Sequence, residues 1–152
     1  MVERFKTPSA SILLLIKEVN GKKKVLLQRR QNTGFADGMW DFSCSGHIEY
    51  GESMSRAAIR EAEEELGISI PADSISFFTL VHKREAQRDL TYYNAYFVCY
   101  DFIGEPHVCE KDKCSELKWF DIDDLPDDLI DDRKKAIQAL ISGVHYFEYG
   151  WQ

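Results

Sequence analysis

The sequence predicts a mixed α/β domain in which strands and helices follow one another without a regular βαβ alternation. Short runs of Ile, Leu, Val and aromatic residues recur at strand length, two stretches (Ser53 to Leu66 and Asp127 to Ser142) read as helices, and Asn20-Gly21 separates the first two apolar runs. The 152 residues fit one domain spanning 1–152, and 44% apolar with 12% aromatic content is enough for a packed core.

Ser9 to Val19 is rich in Ile, Leu and Val, and Val25 to Arg30 is a shorter apolar run ending in two bases. The Asn-Gly dipeptide between them supplies the positive φ angles of a tight turn, so the two form an antiparallel hairpin. QNTGFADGMW has two glycines and no helical period and reads as a surface loop, followed by a short strand over Trp40 to Ser45. Ser53 to Leu66 is dominated by good helix formers, with Ser53 to cap its start, Gly67 to end it and Pro71 beyond. Ile75 to Arg84 and Thr91 to Ile103 form a second hairpin around EAQRD, the latter nearly all aromatic or β-branched and therefore a central strand. Glu105 to Ser115 is a polar loop, ELKWFDIDDL a strand running into a turn, and Asp127 to Ser142 a helix with acids first and bases later, as its dipole favours. The aromatic tail GVHYFEYGW has no period that assigns it.

A net charge of -7 argues against a general grip on nucleic-acid backbones or anionic membranes. An acidic protein can still take an anionic substrate where a divalent cation inverts the local field. No apolar run approaches the roughly 20 residues that span a bilayer. The N-terminus, with mixed charge and no apolar core region, does not read as a secretory signal. Cys44, Cys99, Cys109 and Cys114 contain no C-x-x-C pair, which favours idle thiols in a reducing cytoplasm over disulfides or zinc.

On a helical wheel Ala58, Ile59, Ala62 and Leu66 form an apolar stripe. Glu61, Glu64 and Glu65, at i, i+3 and i+4, gather on one flank of it, while Arg56, Arg60 and Glu63 lie round the back. A solvated face is the ordinary reading of a charge run. Each like-charge pair costs roughly 0.2–0.5 kcal/mol, however, and the wheel sets no base on that flank. Clustered oxygen ligands suit Mg²⁺ or Mn²⁺, which use a few carboxylates and take the rest of their shell from water and phosphate. The preceding loop, bracketed by Gly46 and Gly51, lets backbone groups approach a ligand closely.

Gly46, Glu52, Arg60, Glu61, Glu64, Glu65, Gly67 and Ile68 reproduce the pattern G-x5-E-x7-R-E-U-x-E-E-x-G-U, with only Ala62 smaller than the usual aliphatic. In this the chain resembles the Nudix hydrolase family, and its flanking segments resemble the MutT-like single-domain members over nearly its whole length. The resemblance implies an α/β/α sandwich with a mixed sheet and a loop-helix-loop catalytic box. It also implies Mg²⁺-dependent hydrolysis of a nucleoside diphosphate linked to another group. Carried over, Gly46, Glu61, Glu64 and Glu65 would hold the metal, with Mn²⁺ as a substitute. Glu61, or a hydroxide on the metal, would activate the attacking water, with Arg60 orienting the acids and Glu52 supporting them.

Outside the box, Glu110 is a candidate for a further metal-side acid from a late loop. One of Arg29 and Arg30, which face opposite sides of their strand, is a candidate for phosphate binding. His47 and His82 read as structural or solvent-facing, and Phe35, Trp40 and Tyr96 as core aromatics that could otherwise stack a base. The expected substrate is a small nucleotide, foremost a nucleoside triphosphate or an oxidised form of one. ADP-ribose or a nucleotide sugar is the alternative, and a non-catalytic nucleotide sensor is a reading of another class. The segment Val81 to Ala86 lacks the proline or tyrosine that marks some subgroups resembling this one, which tilts the expectation to triphosphates. A monomer or homodimer is expected, with neither nucleic acid nor membrane as partner.

Overall fold

The structure is a computed structural model and describes residues 2–152. Alternation along the first strand sets the layers. In β1 (Ser9–Val19), Ile12, Leu14 and Ile16 point to one side of the sheet and Leu13 and Leu15 to the other, all five buried. A strand that is apolar on both faces needs a cover on each. Helix α1 (Met54–Leu66) supplies one through Ala58, Ala62 and Leu66, and α2 (Asp131–Ser142) the other through Ala136 and Ile137. The result is the expected α/β/α sandwich.

Eight strands build the mixed sheet, in the order β3 (Trp40–Phe42), β2 (Lys22–Arg30), β1, β6 (Leu90–Cys99), β5 (Ile75–Glu85) and β8 (Tyr146–Tyr149), with β4 (Cys44–His47) also on β1 and β7 (Cys114–Asp121) also on β2. β2 (Lys22–Arg30) returns antiparallel to β1 through Asn20 and Gly21, whose φ angles of 52° and 78° are those of a two-residue hairpin turn. β5 (Ile75–Glu85) and β6 (Leu90–Cys99) form the second hairpin, and β6 runs parallel to β1 in the centre of the sheet.

The segment expected as one strand over Trp40 to Ser45 is two, β3 (Trp40–Phe42) on β2 and β4 (Cys44–His47) on β1, interrupted at buried Ser43. β1 pairs with β2 only over Ile16 to Val19 and gives Ala10 to Leu13 to β4. β2 instead pairs with β7 (Cys114–Asp121), so β1 and β2 part, and a cleft opens between β2 and β4.

Three boundaries move, and the tail receives an assignment. The central strand ends at Cys99, with Ile103 bridging separately to Ser69. The strand of the ELKWFDIDDL segment begins earlier, at Cys114. The last helix starts at Asp131, and its acids Asp131 and Asp132 fill the first turn, but its last turn has no base. The tail forms β8 (Tyr146–Tyr149), parallel to β5 at the sheet edge. Among the described residues no helix is long and apolar enough to cross a membrane.

Candidate active site

α1 is fixed at both ends. Ser53 accepts the Arg56 N–H at 3.3 Å, and Gly67, at φ 66°, returns its N–H to Glu63 O. With the helix phase set, Glu63 is exposed on the outer face, Glu61 and Glu65 are partly buried beside β4, and Glu64 stands at the solvent rim.

Arg60 departs from its place on the wheel. Its backbone lies at the back, but its guanidinium reaches round to the acids and lies on the very flank where the wheel sets no base. It donates to Glu52 through Nε (2.6 Å) and Nη2 (3.0 Å), and to Glu61 (2.9 Å) and Glu64 (3.2 Å) through Nη1. Nη2 also reaches His47 O at 3.3 Å, tying the helix to the end of β4. The hydrogen bonds from Arg60 hold the Glu52 carboxyl below its usual range.

Glu61 and Glu65 move the other way. Burial raises Glu61 above its usual value in spite of Arg60. Burial, then the charge of Glu61, pushes Glu65 up to about 8, with Glu110 adding to the rise and a Ser45 N–H at 3.2 Å opposing it. Glu110 thus lies near both, on the wall of a cleft of about 430 Å³ that also includes Glu65, Arg30 and Lys113.

The donor set fits a hard divalent cation. Glu65 stays ionised at neutral pH only if positive charge arrives, and the oxygens of Glu61, Glu65 and Glu110 are the ligand type that Mg²⁺ and Mn²⁺ prefer. Gly46 fits as well: a Cβ there would come 2.0 Å from Glu61 Oε1. Ser43 Oγ, buried in the same cleft, has no hydrogen-bond partner. The three helix carboxylates do not converge on one point, and among the described residues no three His, Cys, Asp or Glu groups form a ready-made cage. A cation that keeps several waters needs no such cage.

The two strand-end arginines part as the strand period requires. Arg29 lies over the Trp40 ring at 4.6 Å, bonds Gly38 O at 2.9 Å and pairs with Asp128 at 3.6 Å, outside the cleft. Arg30 lines the cleft, held by Asp41 and by Phe35 O, each at 2.8 Å. Trp40 and Tyr96 are core, edge-on to Phe120 and Phe42. Phe35 is half-buried and lines the neighbouring extension of the cleft. His47 also lines the cleft, whereas His82 stacks on Tyr93 away from it. Sequence reasoning missed Ser43, Lys83, Asn94 and Arg133, which line the cleft and its extension. A lone Asn inside the aromatic run TYYNAYFV was the one available signal.

An α/β/α sandwich whose cleft is edged by an arginine-bound carboxylate helix defines a class, and the chain matches the NUDIX domain over residues 6–140. It belongs to the Nudix family. It is 31% identical over 104 residues to the isopentenyl-diphosphate Delta-isomerase 2 of Photorhabdus laumondii, covering 68% of this chain and 58% of that one. It is also 31% identical over 123 residues to the uncharacterized Nudix hydrolase YfcD of Escherichia coli K12, covering 78% and 64%. The chain therefore spans less than two thirds of the length of these curated relatives. The crystal structure of a MutT NUDIX hydrolase from Burkholderia pseudomallei superimposes with a TM-score of 0.78 at 26% identity, over 90% of this chain and 99% of that one.

Proposed function

We propose that this chain is a Mg²⁺-dependent hydrolase of the diphosphate linkage in a nucleoside diphosphate derivative, foremost a nucleoside triphosphate cleaved to release pyrophosphate. The observation that carries the reading is the placement of Glu65 and Glu110 with Arg30 on one cleft wall, next to Glu61, where burial and the neighbouring acids raise the Glu65 carboxyl. Such a site favours positive charge, and a crowded phosphoric anhydride is hydrolysed by charge neutralisation and positioning, without a protein nucleophile.

Gly46, Glu61, Glu64, Glu65 and Glu110 would hold a divalent cation, which when bound would supply that neutralisation and lower the pKa of a water. The chain's own residues do the rest. Glu61, its carboxyl raised by burial, accepts the proton of the attacking water. Arg60 and Glu52 hold Glu61 and Glu64 in place, and the free Nη2 of Arg30 takes a phosphate oxygen.

The identity to isopentenyl-diphosphate isomerases supports a second reading, rearrangement of a prenyl diphosphate with no anhydride cleaved. A panel with Mg²⁺ separates the two: triphosphates, ADP-ribose, nucleotide sugars and isopentenyl diphosphate, scored for pyrophosphate, orthophosphate and isomer. Pyrophosphate release is expected, with Glu64→Gln and Glu65→Gln each losing it by about 100-fold or more while remaining folded. Activity within about tenfold of wild type in both variants overturns the metal assignment. No turnover of any substrate leaves the nucleotide-sensor reading.

A further inference from the structure

Beyond Ser45 and His47 the cleft continues into a second compartment of about 260 Å³, walled by Arg30, Lys83, Glu85 and Arg133 and by the Phe35 and Tyr92 rings. The charges on this wall belong to one chain of ion pairs. Arg30 pairs with Asp41, Asp41 with Arg133, Arg133 with Asp132, Asp132 with Lys83, Lys83 with Glu85 and Glu85 with Arg88, with no link longer than 3.5 Å. A chain of alternating charges that begins and ends on a base holds four bases and three acids. It therefore carries an unbalanced positive charge, in a protein whose net charge is -7.

The middle of the chain is out of water. Asp41 and Asp132 are buried, and Lys83 and Arg133 are each 7% exposed. A buried cation is costly unless its donors find acceptors, and here they fall short. Arg133 gives Nε to Asp41 and Nη1 to the Tyr96 hydroxyl, both at 2.6 Å, and makes no hydrogen bond through Nη2 among the described residues. Lys83 has Glu85 at 3.3 Å and Asp132 at 3.0 Å for its three N–H groups. Arg30, Lys83 and Arg88 also crowd the Phe35 ring, at 5.5, 5.3 and 5.1 Å, and a ring face gives a cation less than a carboxylate does. Glu61, Glu64, Glu65 and Glu110 do not line this compartment. The cleft is thus divided by sign, acids along its first part and surplus bases along the second, with Arg30 bordering both.

We infer that the second compartment receives a further anionic group of the substrate, a phosphate or carboxylate carried beyond the diphosphate, and that Arg133 and Lys83 bind it. The inference rests on the hydrolase reading above, in which Arg30 takes the diphosphate. An oxyanion accepts from the spare Nη2 and the third ammonium N–H together and balances the chain. This orders the candidate substrates: a nucleoside triphosphate has a third phosphate to place there, whereas ADP-ribose and an uncharged nucleotide sugar have none.

Calorimetric titration of the whole protein in EDTA reads binding without metal-dependent hydrolysis. Two pairs of ligands isolate the distal anion: ATP against ADP for a phosphate, and UDP-glucuronate against UDP-glucose for a carboxylate. The member with the added anion is expected to bind about tenfold tighter or more, and a preference in either pair supports the site and names its anion. Arg133→Lys, which keeps a cation beside Asp41 and Asp132, and Lys83→Gln each reduce the ratio to about twofold. Should neither variant fold, excess inorganic phosphate reduces the ratio of the wild type in the same way. Equal affinities in both wild-type pairs, a ratio that neither the variants nor phosphate moves, or inorganic phosphate alone binding as tightly as ATP, which makes this a site for a free anion, overturns the assignment. If the preference appears while no compound in the panel above is cleaved with any divalent metal, the hydrolase reading fails and the anion site stands.

Discussion

Arg60 shows how one side chain reorganises a crowded helix face. It gathers Glu52, Glu61 and Glu64 and leaves Glu65 without a basic partner, so one carboxyl is held low while Glu65 rises to about 8. Glu65 therefore sets a pH dependence whose sign is fixed. A carboxyl raised from its ordinary 4.5 to about 8 contributes stability that is full below pH 4.5 and is lost as pH climbs through 8. Calorimetry in EDTA is expected to show Tm falling over that window, with Mg²⁺ reversing the fall and Glu65→Gln abolishing most of it; an unchanged slope in the variant refutes this. Gly46→Ala drives a Cβ into the Glu61 carboxylate, whose end can swing away but only by leaving Arg60. Folding should survive with a loss of about 1 kcal/mol, while hydrolysis falls by more than about tenfold, measured as kcat at saturating Mg²⁺. The reach of Arg60 was not legible on a wheel, which places Cα atoms and ignores a guanidinium on a long stem. The split of Arg29 from Arg30 was legible, because period two in a strand dictates it.

At the scale of elements, α1 is where sequence and structure agree best. Ser53 caps it, Gly67 ends it in the left-handed region, and its buried face keeps Ala58, Ala62 and Leu66 of the predicted stripe, with Ala57 in place of Ile59, which is only half-buried. Glu63 consequently faces solvent, and Glu63→Gln is expected to change kcat/KM by less than about twofold; a large loss would mean that the helix is turned differently in solution. The interruption at Ser43 was not readable from WDFSCS, since only the partners decide that Trp40–Phe42 joins β2 and Cys44–His47 joins β1. Nor was β8, whose parallel pairing with β5 depends on a strand some 60 residues earlier in the chain. Asn94 escaped for the same reason: its neighbours in the second compartment come from the far ends of several elements.

Over the whole molecule, the layers followed from apolar runs long enough to be buried on both sides, and the cleft did not, because it arises where β1 leaves β2 for β4. The tail closes the opposite edge of the sheet. Trp151 donates its indole N–H to His82 O at 2.8 Å and packs on the His82 ring, which itself stacks on Tyr93. Gly150, at φ 82°, turns where a Cβ would lie 2.1 Å from Arg84 O. Ending the chain after Gly143 would bare the full length of β5 as an edge strand. Light scattering is expected to show aggregation well below the melting temperature of the full chain, and a truncated protein that stays monodisperse refutes this. Arg30, finally, is a shared wall: one guanidinium borders both chambers and is lashed to Asp41 and to the loop carrying Phe35. On the proposed hydrolase reading, a guest that seats badly on one side would disturb the wall seen from the other, and misfit would be felt as slow turnover as well as weak grip.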